Sequence, residues 1–212
     1  VTVSRPARIA LELSAAEPGM GAIIQLVGPP PARRALPVAM RFDQLAVAIL
    51  HQQLAGRAAA TITARVRDAL GALSPEAILS VDAPTLRACG VSGAKQAALT
   101  DLATKVATGG VDLAALGRRS DIDVIAALTS VRGIGPWTAE MFLMGPLGRH
   151  DVWPVGDLGV RSGWALIRDE PVRPATELVD ATEHLRPWRS SVAWYCWQAV
   201  DVARSNGGTI PR

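Results

Sequence analysis

Cysteine, lysine and histidine are scarce in this 212-residue sequence, and each scarcity removes a chemistry. Cys89 and Cys196 are too few and too far apart for a structural zinc site, and cannot supply the four thiolates of an iron–sulfur cluster. The three histidines, His51, His150 and His184, show no metal-ligand spacing. Only Lys95 and Lys105 are lysines among 22 basic residues, so amine nucleophiles are almost absent. No apolar run approaches the ~18 residues of a membrane span. The opening stretch, VTVSRPARIALELSAAEPG, has no apolar run of signal-peptide length. A metal-poor protein of the cytoplasm, with no membrane partner, is the expectation.

What is present is a folded, mostly helical chain. With 49% hydrophobic and 19% charged residues the sequence has ample material for a core and is not a disordered one. The net charge of +3 is a mild basic bias, compatible with nucleic acid but not diagnostic of it. From Phe42 onward apolar residues recur at helical spacing: Phe42, Leu45, Ala46, Ile49 and Leu50 predict one buried face. Gly56 marks a break before a second helix with Ile62, Val66 and Leu70 inward. Further helices are predicted in SPEAILS, APTLRACG, SGAKQAALTDLATKVATGG, DIDVIAALTSV, PWTAEMFLM, DLGVRSGWALIRD, ATELVDATEHL and SSVAWYCWQAVDVARS. Strand signals are confined to ARIALELS and GAIIQLVG, which alternate weakly, before the stiff connector Pro29, Pro30 and Pro31. The fold class is mainly α, built of many short helices.

The segment VRGIGPWTA is the most specific feature. Two glycines around Ile134 permit a tight turn with positive φ, and Pro136 stands where a helix's first residue favours proline. The unpaired amides of such a helix start can hold a phosphate. A GxG turn alone serves a purely structural corner equally well; TSVRGIGPWTA in full favours contact with a nucleic-acid backbone. Downstream, Asp157 in WPVGDLGVR reads as the N-cap of a helix.

Together these motifs resemble the helix-hairpin-helix DNA glycosylase superfamily. FDQLAVAILHQQLAGRAAATI, LRACGVSGAKQAALTDLA, GIGPWTAEMFLM, DVWPVGDLGVR and RPWRSSVAWYCW are similar, in order, to the DNA-3-methyladenine glycosylase II (alkylbase DNA glycosylase) family, over roughly residues 40 to 200. The resemblance implies two lobes with the active cleft between them. One is a helical lobe at 41–150 containing the hairpin (131–139). The other combines 1–40 with 151–212 and carries Asp157 and the C-terminal aromatic helix. Only about 40 residues precede Phe42, so the family's N-terminal β domain is expected to be reduced or absent. Arg132 stands where many relatives have proline.

The function so implied is hydrolytic removal of alkylated bases, such as 3-methyladenine and 7-methylguanine, from double-stranded DNA in base-excision repair, by a cytoplasmic monomer that, if bacterial, is associated with the nucleoid. Asp157 would be the catalytic carboxylate, stabilising positive charge on the sugar as in glycoside hydrolysis and orienting or deprotonating the attacking water. Lyase relatives have a lysine where Trp137 stands, so a monofunctional enzyme without a Schiff base is expected. The resemblance places Trp137 and Trp197 against a flipped base, with Met141 and Leu158 lining the same cavity; an electron-rich indole suits a cationic base. Gln53, with Leu54 beside it, matches the position that fills the gap left by base flipping. Arg132, Lys95 and the amides of Gly133 and Gly135 are candidate phosphate contacts. No cofactor is required, although the family's structural Na+ or K+ would sit at the carbonyls of Thr129, Val131 and Ile134. A glycosylase for deaminated or oxidised bases, or a non-catalytic helix-hairpin-helix DNA-binding module, remains the alternative.

Overall fold

Helix initiation is written into the sequence by short polar residues. The computed structural model describes residues 3–211, which form α-helices and short 3-10 segments, with no β-strand among them. In chain order the α-helices are α1 (Arg5–Ala16), α2 (Gly21–Val27), α3 (Val38–His51), α4 (Gly56–Leu70), α5 (Pro75–Ser80), α6 (Ala83–Ala88), α7 (Gly93–Ala107), α8 (Asp121–Thr129), α9 (Pro136–Met144), α10 (Leu158–Arg168), α11 (Ala175–Ala181) and α12 (Arg189–Ser205). Ser4, Ser74, Asp82, Ser92, Ser120 and Asp157 each cap a helix, the side-chain oxygen accepting the amide three residues on. Each such cap contributes about 1 kcal/mol.

The helices sort into two compact units, Val1–Arg34 with Gly148–Arg212 and, inserted in sequence between these segments, Ala35–Leu147. In the inserted unit α3 buries Phe42, Leu45, Ala46, Ile49 and Leu50, the face its periodicity predicts. α3 packs against α7, which buries Leu99, Leu102 and Ala103, and against α9, which buries Phe142 and Leu143. Burying each leucine, isoleucine or phenylalanine contributes about 1.5–3 kcal/mol.

The other unit is organised around α10 and α12. A Cβ on Gly163 would lie 2.0 Å from the carbonyl oxygen of Cys196, so the two helix backbones meet where only glycine fits. Trp153 meets Trp164 edge-on at 6.2 Å, and the Tyr195 hydroxyl donates to the Gly28 carbonyl at 3.0 Å. Glu17, almost wholly buried, accepts from the Arg168 guanidinium through both carboxylate oxygens at 2.7 Å.

The two strand signals near the N-terminus are helices instead. ARIALELS lies in α1, which buries Ile9, Ala10 and Leu13, the one-face spacing of a helix; GAIIQLVG forms α2 around buried Ile23. Leu11 and Leu26 are exposed, and these solvent-facing leucines created the apparent alternation. Capping by Ser4 with Pro6 in the first turn then settles α1. No described helix is long and apolar enough to cross a membrane.

Candidate functional site

The hairpin joins α8 to α9. Val131 and Ile134 are buried and anchor the turn, and the Ile134 amide donates to the Val131 carbonyl at 3.1 Å. Gly133 has φ +79°, a conformation that favours glycine, and a Cβ there would press on the Ala98 methyl at 3.2 Å. Gly135 is the N-cap of α9 and Pro136 its first residue. The amides of Gly133 and Gly135 donate to no acceptor among the described residues, and a Cβ at Gly135 would meet open space. The Arg132 side chain is exposed, while its backbone amide is held by Asp101 Oδ2 at 2.7 Å. The turn therefore offers two amides and one guanidinium to an anion, next to the positive end of the α9 dipole. The Thr129 and Ile134 carbonyls receive no donor among the described residues, and Val131's accepts one, so all three retain lone pairs.

The turn between α3 and α4 belongs to the same unit. Gln53 adopts φ +56°, left-handed backbone that is uncommon for a side-chain-bearing residue and concentrates at functional sites. Gln53 and Leu54 are both exposed, Leu54 by 37%. Gln52, unassigned in the sequence, donates from Nε2 to the Gly133 carbonyl at 2.8 Å and so ties this turn to the hairpin. Lys95 donates to the Leu50 carbonyl at the end of α3 at 2.7 Å, and burial holds its ammonium below the usual lysine range. Lys105 donates to both Asp101, at 2.8 Å, and the Ser130 carbonyl. The hydrogen bonds from Lys105 and then the Arg132 amide hold the Asp101 carboxyl below its ordinary range.

Asp157 lies in the discontinuous unit, half-buried, with Oδ1 accepting the Val160 amide at 3.1 Å as the cap of α10. A turn closed by its amide on the Pro154 carbonyl, at 3.0 Å, and rooted in buried Trp153 and Pro154 sets its backbone. Gly159 brings a second group close: a Cβ there would sit 2.9 Å from Asp157 Oδ1 and 3.1 Å from Trp197 Cδ1. The carboxylate and one edge of the Trp197 indole thus flank the same bare backbone position. Leu158, 62% exposed, is the first residue of α10. Beneath them Cys196 is fully buried; burial chiefly, with the Asp157 charge adding, pushes its thiol up, so it stays protonated and is no nucleophile.

Of the residues expected to surround a base, Asp157, Leu158 and Trp197 belong to this discontinuous unit. Trp137, 50% exposed in the first turn of α9, and Met141 one turn further belong to the inserted one. Asp101, Lys105 and Gln52 are the hairpin's supports that sequence reasoning missed. Their partners in the hairpin are main-chain atoms distant in sequence; the signals available are the i, i+4 spacing of Asp101 and Lys105 and the fall of both lysines of the chain in α7.

A glycine-turned hairpin with free amides and an aspartate capping a separate helix define a class of DNA-repair proteins. The chain belongs to the HhH-GPD superfamily of base excision DNA repair proteins, whose family model matches residues 46–182. Within that class it falls with the DNA-3-methyladenine glycosylases. It is 31% identical over 198 residues to DNA-3-methyladenine glycosylase 1 of Schizosaccharomyces pombe, covering 91% of this chain and 87% of that one. It is 34% identical over 170 residues to the DNA-3-methyladenine glycosylase of Saccharomyces cerevisiae, covering 76% of this chain but only 57% of that longer protein. Among solved structures, the S. pombe 3-methyladenine DNA glycosylase in complex with abasic DNA superimposes with a TM-score of 0.81 at 30% identity, covering 92% of this chain and 98% of that one. A DNA-3-methyladenine glycosidase from Bacillus halodurans gives 0.82 at 28% identity, covering 98% and 96%.

Proposed function

We propose that this protein is a monofunctional DNA glycosylase that hydrolyses the N-glycosidic bond of alkylated purines in duplex DNA, leaving an intact abasic strand. The observation that carries the reading is the Asp157 carboxylate, oriented by the Val160 amide and set against Trp197 across Gly159. Breaking the glycosidic bond develops positive charge on the sugar, which a fixed carboxylate stabilises while orienting or deprotonating the attacking water. An alkylated purine is cationic or electron-poor and departs without a strong general acid, so one carboxylate suffices. The Gly133 and Gly135 amides and Arg132 would hold phosphate, and Gln53 with Leu54 would fill the gap left by the extruded base. A monovalent cation on the Thr129, Val131 and Ile134 carbonyls would add positive charge beside that phosphate and stiffen the turn.

The test is incubation of the protein with methylated duplex DNA. 3-Methyladenine and 7-methylguanine should be released as free bases, identified by mass. The DNA should break only after alkali, and borohydride should trap no protein–DNA adduct, because Trp137 stands where a Schiff-base lysine would be needed. Release of no alkylated base would sink the function, and a trapped adduct would sink the monofunctional assignment.

Trp197 provides a test of base recognition. Truncation to alanine should slow release of cationic 7-methylguanine more than release of neutral hypoxanthine. Stacking is worth about 1–3 kcal/mol per base, and charge attraction to a desolvated indole adds up to about 2 kcal/mol for the cation alone. Single-turnover rates on both lesions measure the difference, after a melting curve shows that the variant is folded. Equal losses on both lesions would remove the charge component of selectivity.

A further inference from the structure

We propose that α7 is a spacer that fixes the wedge turn at 52–55 and the hairpin turn at 130–135 at one separation, with Lys95, Asp101, Lys105 and Gln52 as positioning residues. The inference rests on the DNA roles proposed above for those two turns, and it moves Lys95 from phosphate contact to internal support.

Lys95, Ala98, Asp101 and Lys105 recur at intervals of three and four and so line one face of α7, spanning about 15 Å of its axis. At one end the Lys95 ammonium holds the Leu50 carbonyl, two residues before the wedge turn. Midway the Ala98 methyl underlies Gly133, where an added Cβ would crowd it at 3.2 Å. Further along, Asp101 holds the Arg132 amide and Lys105 holds the Ser130 carbonyl, so the hairpin turn is gripped through one donor and one acceptor of its main chain. The Asp101–Lys105 ion pair locks the two grips together at 2.8 Å. Gln52 then bridges the two turns directly through the Gly133 carbonyl.

The choice of residue supports the same reading. In a chain whose other basic residues are all arginine, both lysines take this task. Each ammonium is a compact donor on a slender, half-buried stem, Lys95 meeting one main-chain carbonyl and Lys105 a carbonyl and the Asp101 carboxylate. A guanidinium is wider and carries its donors in a fixed fork, so at these two positions it would reach the same carbonyl only by shifting what surrounds it. A duplex presents its phosphates at a fixed repeat, so a wedge must enter at a set distance from the phosphate that the hairpin holds. Misplacement by about 1 Å can cost a hundredfold in rate.

The experiment uses the intact chain with Lys95→Met, Lys95→Arg, Lys105→Met, Lys105→Arg and Gln52→Leu. Affinity is measured for a duplex carrying a tetrahydrofuran abasic analogue and for the same duplex undamaged, each over a range of salt. All five variants should lose about tenfold of the preference for abasic DNA, the arginine variants as much as the methionine ones, while the salt slope stays parental. The proposal is overturned if the arginine variants keep the preference while the methionine variants lose about 0.9 from the log–log slope, the signature of one direct phosphate contact. It is equally overturned if Gln52→Leu and both methionine variants keep the parental preference, which would leave these bonds a purely structural role. Should the lysine variants fail to melt cooperatively, Gln52→Leu decides alone, since Gln52 lies at the surface. A parent that prefers abasic DNA but releases no alkylated base would refute the catalytic reading and leave the spacer standing; a parent with no abasic preference would overturn the spacer.

Discussion

Asp157→Asn is expected to lower single-turnover release of 7-methylguanine by about a hundred- to thousandfold, the range seen when one preorganised electrostatic group is removed from an active site. The substitution separates two roles of one side chain. Asparagine caps a helix nearly as well as aspartate, so the bond from the Val160 amide survives and α10 keeps its start. What disappears is the negative charge, with a loss of about 0.3–1 kcal/mol against the α10 dipole. The melting temperature should therefore change little, and affinity for abasic-analogue duplex should persist. Near-parental release by a folded Asp157→Asn protein would mean that the sugar cation is stabilised elsewhere.

Gly163→Ala is expected to be the most damaging single methyl group in the discontinuous unit. The new Cβ would lie 2.0 Å from the Cys196 oxygen and 2.4 Å from its carbonyl carbon, and both are backbone atoms that no rotamer change can clear. α10 and α12 would have to part. Overpacking typically costs about 1–3 kcal/mol, and a collision between two helix backbones belongs at or beyond the upper end of that range. For a chain of this size 3 kcal/mol corresponds to a fall in Tm of about 6–12 °C. Base release should fall too, because separating the helices pulls Trp197 away from Asp157. A melting curve within about 2 °C of the parent would show that this close approach does not set the helix spacing.

The helices and the hairpin were legible because their signals are local. Apolar residues at Phe42, Leu45, Ile49 and Leu50, a serine or aspartate three residues before a paired amide, and glycines beside Pro136 act within one or two turns of chain. Asp157 was legible for the same reason: its capping bond spans three residues. The N-terminal helices were misread where exposed Leu11 and Leu26 imitated a strand's alternation, a case of surface apolar residues without structural meaning. Gln52, Asp101 and Lys105 stayed invisible because each meets a main-chain atom 25 to 81 positions away. A backbone carbonyl carries no residue type by which a sequence could advertise it. Gly159 and Gly163 fall between these cases. Two glycines four apart on a helix signal a close neighbour, yet that α12 fills the space, with Trp197 at one glycine and the Cys196 backbone at the other, is tertiary information.

The order of synthesis gives the two-segment unit a temporal character. Its closing bonds span 151 positions from Glu17 to Arg168 and 167 from Gly28 to Tyr195. Chains emerge N-terminal end first, at about 5–20 residues per second. Throughout the translation of Ala35–Leu147, α1 and α2 therefore wait for partners that do not yet exist. The hairpin, α7 and the turn at 52–55 all precede Leu147 in the chain and emerge before Asp157. Contacts of such long sequence separation are slow to close, which makes the carboxylate's surroundings the last to mature. A chain cut short after the hairpin would carry the turn proposed to hold phosphate without the carboxylate proposed to act on the sugar.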